Sequence, residues 1–104
     1  MATHLQIEHV DISQLQEAAY NPRTIDKKEF AGLVKSLQTF GLVDPIIINS
    51  DNTVIGGHMR LKAAKQLGFT TVPVVRLHLD KRAERKLNVV LTAYENPTKS
   101  KEIG

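Results

Sequence analysis

With 104 residues, 41% hydrophobic and 24% charged, the chain can form one domain with a modest core and is too apolar for a fully disordered segment. It contains no cysteine, which excludes disulfides, a thiolate metal site and a cysteine nucleophile. Fourteen Lys and Arg against 11 Asp and Glu leave a net charge of +3, which admits an anionic partner without requiring one.

Leu5 to Val10 alternate loosely and predict a short strand. Ala19-Tyr20-Asn21-Pro22-Arg23 reads as a loop, because proline drives the residue before it away from helix. Asp26 to Phe40 carries the clearest helical period: Phe30, Leu33, Val34, Leu37 and Phe40 recur at three- and four-residue steps as one core-facing stripe. Asp26 is the expected N-cap, Glu29 its capping-box partner, and Gly41 the left-handed residue beyond the end.

Asp44-Pro45 breaks the chain before Ile46-Ile47-Ile48, a buried strand by its β-branched content. Asn49 to Asn52 is a turn, and Thr53-Val54-Ile55 pairs back as a second strand. Gly56-Gly57 opens a helix from about His58 to Leu67, with Leu61, Ala64 and Leu67 inward and Gly68 ending it. Thr71 to Leu77 is a further strand, in which Pro73 predicts a sheet edge or a strand end. Asp80 caps a last helix whose buried face is read as Ala83, Leu87, Val90, Leu91 and Tyr94, and Pro97 stops it. The order β-α-β-β-α-β-α predicts an α/β (α+β) fold, a small single domain over residues 1–97 with a mixed β-sheet and three helices, followed by a flexible tail at 98–104. No apolar stretch approaches the roughly 20 residues of a membrane span, and residues 1–25 lack the pattern of a secretory signal. A cytoplasmic chain with no membrane partner is therefore expected.

Charge is uneven along the chain. Residues 1–50 hold 4 basic and 6 acidic side chains, whereas residues 51–104 hold 10 basic and 5 acidic. An anion site is thus expected in the second half. There, a strand ends in Gly56-Gly57 and turns straight into a helix whose first amides lack internal acceptors and carry the positive end of the dipole. His58, Arg60 and Lys62 crowd that start, where cations are unfavourable unless an anion offsets them. The alternative is that the glycines only allow tight strand–helix packing while the basic side chains are solvated. Arg23, on a proline-stiffened loop, is a second candidate for gripping a phosphate or carboxylate. Lys81, Arg82, Arg85 and Lys86 form a basic cluster that fits either nucleic-acid phosphates or a solvated face. No two of His4, His9, His58 and His78 have a helical ligand spacing, so no protein metal site is predicted. Asp51, Asp80 and Glu84 offer no close carboxylate pair for acid–base work.

Four segments in order resemble one family. Asn21-Pro22-Arg23, Phe40-Gly41-Leu42-Val43-Asp44-Pro45-Ile46, Ile55-Gly56-Gly57-His58-Met59-Arg60-Leu61-Lys62-Ala63-Ala64 and Val72-Pro73-Val74-Val75 closely resemble the ParB-like N-terminal domain of the ParB/sulfiredoxin superfamily, over about residues 5–95. In partition proteins of that family the domain binds CTP with magnesium and switches a DNA clamp. The resemblance implies that Gly56, Gly57, His58, Met59 and Arg60 cradle a triphosphate. It likewise implies that Gly41, Leu42, Val43, Asp44 and Pro45 border the base, and that Arg23 is the arginine of the first conserved box. His58 and Met59 stand where the family has Glu and Arg. The family's Glu-Asn-x-x-Arg box has no counterpart, since Glu95-Asn96 runs into Pro97.

The sulfiredoxin branch places its catalytic cysteine where His58 stands, which excludes that redox chemistry. Similar Gly-His-x-Arg versions occur beside DNA methyltransferases and in phage or mobile-element proteins. Leu87 to Leu91 looks like their last helix, with Thr92 in place of the asparagine that tends to follow. The expectation is a domain that binds CTP or another NTP with magnesium, in a DNA-related process such as partition or DNA modification. Its partners would be the nucleotide, DNA directly or through a larger protein, and a second copy in a homodimer. His58 would contact phosphate or transfer a proton. One alternative is a magnesium-dependent nuclease or nucleotide hydrolase or kinase using Asp44, Asp51, Asp80 and Glu84. Another is a DNA-binding or protein-docking module acting through the basic cluster without nucleotide.

Overall fold

The computed structural model describes residues 6–17 and 26–95, with side chains to residue 91. The Asn21-Pro22-Arg23 loop, Pro97 and the 98–104 tail lie outside the described residues. Strands β1 (Ile7–Asp11), β2 (Gln16–Glu17), β3 (Ile46–Ile48), β4 (Thr53–Gly56) and β5 (Thr71–Arg76) form one sheet in the order β1-β5-β3-β4-β2. The β1–β5 and β3–β4 pairs are antiparallel, whereas β3–β5 and β2–β4 are parallel. Helices α1 (Lys27–Phe40), α2 (His58–Gln66) and α3 (Lys81–Glu95) complete the predicted mixed α/β architecture. The two-residue β2, too short to show a period, joins the sheet through the Gln16 amide, which donates to the Asn52 carbonyl at 2.9 Å.

Asp26 caps α1 by accepting from the Lys28 amide at 2.7 Å, and Gly41 leaves the helix at φ 80°. The buried core joins Leu37 of α1 to Ile46, Ile48, Val54, Leu61, Ala63, Ala64, Val72 and Val74, with Phe30, Leu33 and Val34 packed at its edge. Phe40 departs from the predicted stripe and is 72% exposed. It is the last helical residue, and beyond the Gly41 turn Leu42 takes the place against the core.

Pro73 also departs from expectation, since β5 lies between β1 and β3 rather than at an edge. The sheet accommodates it because β3 pairs with β5 only from Val74 onward, so no ladder amide is required of residue 73 on that side.

The last helix is turned differently from its apolar pattern. Among its described side chains the buried ones are Glu84 and Asn88, with Ala83, Leu87 and Leu91 half-buried and Val90 half-exposed, while Tyr94 lies outside the described side chains. The cause is Asn49, buried at the end of β3. Its Nδ2 donates to the Leu79 carbonyl at 2.9 Å and to Glu84 Oε1 at 2.7 Å, while its Oδ1 accepts from the Ser50 and Leu79 amides, both at 2.9 Å. A buried carboxylate must be paired, and this pairing orients α3. Arg76 ties the same turn to β1, donating to both carboxylate oxygens of Glu8, to Asn52 Oδ1 and to the Ser50 carbonyl.

Asn49→Ala is expected to destabilise the fold by about 3 kcal/mol, because it takes a partner from a buried carboxylate and from three backbone groups. A shift of the urea midpoint measures this loss.

Candidate functional site

Every residue of β4 is buried, and the strand ends at Gly56. Gly57 then takes φ 88°, ψ 25°, a left-handed conformation, and α2 starts without a side-chain cap and without an acid in its first turn. A side chain at Gly57 would also lie 2.9 Å from Arg60 Nη2 and 3.0 Å from Ile46 Cδ1. The left-handed backbone therefore favours glycine there, and a Cβ would push against the ends of two side chains.

Arg60 folds back from the first turn of α2 and donates Nη2 to the Pro45 carbonyl at 3.1 Å. Its Nε is buried with no hydrogen-bond partner among the described residues. This one side chain joins the segments expected to cradle phosphate and to border a base. In the second segment Gly41, Leu42 and Pro45 are half-buried, Asp44 is exposed and Val43 is 74% exposed. Lys62 turns away, its ammonium 5.6 Å from the centre of the Phe30 ring on α1.

Above the bend lies α3. A side chain on Gly56 would meet Leu91 Cδ1 at 2.6 Å, so Leu91 occupies the space that this glycine leaves. Asn88 Nδ2 donates to the Ile55 carbonyl at 3.0 Å, and His58 Nε2 lies 3.3 Å from the same oxygen. Gly56, Gly57 and His58 are buried, while Met59 and Arg60 are half-buried and form the outer lip. His58 therefore faces the protein's own backbone rather than solvent. Sequence reasoning placed Leu91 on the buried face of this helix without linking it to the bend, and it missed Asn88. The signal for Asn88 was its place four residues after Glu84, one turn along the same helix face.

The basic cluster and the acidic candidates sort themselves by pairing. Lys81 Nζ donates to Asp51 Oδ2 at 2.9 Å and to Glu84 Oε1 at 3.0 Å. Lys81, and after it Thr53, holds the Asp51 carboxyl at about 2, and the Lys81 ammonium is raised in turn by the two carboxylates. Arg82, Arg85 and Lys86 are exposed. Asp80 caps α3, accepting from the Ala83 amide at 2.8 Å. Asp51 precedes β4, whereas the glycine bend follows it, so Asp51 and its Lys81–Glu84 partners sit at the far end of that strand from the bend. The exposed Asp44 lies on the segment that Arg60 joins to it. Among the described residues no three of His, Asp and Glu group to hold a metal ion.

The chain matches the ParB N-terminal domain family over residues 1–93. The ParB-like nuclease domain-containing protein YnaK of Escherichia coli is 35% identical over 77 residues, which cover 74% of this chain and 88% of that one. Other relatives are much longer: the chain spans 28% of a nucleoid occlusion protein of Geobacillus thermodenitrificans and 25% of a probable chromosome-partitioning protein ParB of Xylella fastidiosa. Among solved structures, Caulobacter crescentus ParB complexed with CTP-γ-S superposes with a TM-score of 0.73 at 24% identity, covering 82% of this chain and 51% of that one. Arabidopsis thaliana sulfiredoxin gives 0.67 at 20% identity, covering 79% and 96%. Both structural likenesses are of fold.

Gly57→Ala should cost about 1–2 kcal/mol for the left-handed backbone alone, and more once Arg60 and Ile46 give way, read as a lowered midpoint in urea. The Asp51–Lys81 pair makes a separate prediction. Because the folded carboxyl titrates below its usual 3.8, the pair stabilises the fold above that pH, and the contribution fades as pH falls toward 2. Half-exposed, it is worth less than about 1 kcal/mol. Asp51→Asn should flatten the acid limb of a stability–pH profile by that amount.

Proposed function

The chain belongs to the ParB N-terminal domain family, and from that membership we propose that its glycine bend binds a nucleoside triphosphate, CTP or a close relative, with magnesium, in a DNA-related process such as partition or DNA modification. The observation that carries this reading is the helix entry at Gly57. It is left-handed, has no side-chain cap and is joined by Arg60 to the 41–45 segment. A helix start of this kind offers amides and a positive dipole end to phosphate. Arg60 holds a neutral carbonyl through one nitrogen while its Nε has no partner among the described residues. A phosphate would give this guanidinium a charge-assisted contact in place of a neutral one. Leu42 and the exposed Val43 would border the base, and Arg23 would add a second cation from its loop.

Magnesium supplies charge neutralisation to the phosphates. With no three-residue ligand group among the described residues, it would be held chiefly by the triphosphate with most of its waters, as this cation commonly is, and Asp44 is an exposed carboxylate on the segment that Arg60 joins to the bend. The other acidic candidates are engaged: Asp51 and Glu84 with Lys81, and Asp80 in capping α3. That favours binding over hydrolysis or a nuclease reaction. The buried bend adds a condition. For phosphate to reach the amides of residues 57–59, Leu91 and Asn88 must lift, so nucleotide binding would be coupled to movement of α3.

Titration calorimetry of the full chain with CTP, ATP and GTP, each with and without magnesium, tests the proposal. Magnesium-dependent binding of at least one nucleotide is expected, weakened at least tenfold by Arg60→Ala. Asn88→Ala, which loosens the closed position of α3, should raise apparent affinity severalfold while lowering thermal stability. No heat from any nucleotide at millimolar concentration overturns the reading.

A further inference from the structure

The turning of α3 by Glu84 and Asn88 leaves Val90 and one side of Ala83 and Leu87 open to solvent. There, Leu77, Leu79, Ala83, Lys86, Leu87 and Val90 line an open groove of about 370 Å³. Val90 is 50% exposed and the adjacent Val89 68%.

The groove's edge says what it contacts. Lys86 lines it, Arg82 lies one turn earlier on the same flank, and Arg85 and Lys81 lie further round the helix. Lys81 is paired with Glu84 and Asp51, whereas Arg82 and Lys86 are exposed on the groove's flank. We propose that this groove receives an acidic amphipathic helix of a partner protein. Apolar side chains of that helix, at three- and four-residue spacing, would fill the trough over Leu79, Leu87 and Val90, and its acidic flank would meet Arg82 and Lys86.

The other occupants fit less well. Nucleic acid would satisfy the cations but leave the aliphatic floor in water. A second copy presenting the same face would set cations against cations. A small apolar ligand would stay largely exposed in so open a trough. The groove uses a different stripe of α3 from Asn88 and Leu91, and it is tested without nucleotide.

The probe is a phage-displayed library of helical peptides, panned on the full chain and counter-selected on Val90→Glu. That substitution is at a half-exposed position, and a thermal melt confirms its fold. Enriched sequences should carry apolar residues at i, i+3 or i+4 and i+7, flanked by Asp and Glu. The best synthetic peptide should bind at least tenfold more weakly to Val90→Glu and to Lys86→Glu, and more weakly as salt rises. Three outcomes overturn the proposal. They are no enrichment over the counter-selection, enrichment of basic sequences, or sedimentation that shows a dimer of the native chain dissolved by Val90→Glu.

Discussion

One carboxamide holds the arrangement together. Asn49 sits where β3 ends, and its side chain binds the hairpin turn, the backbone before α3 and the buried carboxylate of Glu84 at once. A charge inside a core is tolerated only when its oxygens are occupied, so Glu84 can be buried in one rotation of α3 and no other. Lys81 completes the pairing from the helix's first turn and links it to Asp51 on the hairpin. The strand pair that carries the glycine bend and the helix that covers it are therefore locked to one another by polar contacts at their far end.

Two consequences follow on opposite flanks of α3. Inward, Asn88 and Leu91 come down on Ile55 and Gly56, so the end of β4 is roofed and the two glycines serve packing as well as helix entry. Outward, Leu87, Val90 and Val89 are left in or near water beside a row of cations. A helix packed on the stripe read from its sequence would have buried Val90 together with Leu91 and turned Asn88 toward solvent. Polar anchoring thus decides both how accessible the glycine bend is and whether the surface carries an apolar groove.

Much of the cationic excess is consumed within the fold. Lys65 pairs with Glu17, Arg76 with Glu8, Lys81 with Asp51 and Glu84, and Lys62 lies against Phe30. Arg60 is the basic residue at the α2 entry that turns to the bend itself, and it holds a carbonyl there. An unfavourable cation near a helix start is thereby offset in part by a local acceptor. The local charge at the α2 entry is therefore that one guanidinium beside a helix start whose N-cap is a glycine.

The elements themselves were legible in the residue order, because local physics suffices for them. Asp26 and Gly41 mark the ends of α1, the isoleucines of β3 and the turn after them mark the hairpin, and Gly56-Gly57 marks the strand-to-helix bend. The family resemblance was readable for the same reason, since it rests on short segments in register. Other features depended on tertiary structure, because each is set by residues far apart in sequence. Phe40 is exposed because Leu42 takes its place, and Pro73 is central because β3 begins its pairing one residue later. Arg60 finds Pro45 across 15 positions, and Asn88 finds Ile55 across 33. The face of α3 was hidden most deeply. Apolar periodicity assigns a helix its buried stripe only when hydrophobic burial governs the packing, and here a buried carboxylate answered by Asn49, 35 residues away, outweighs it.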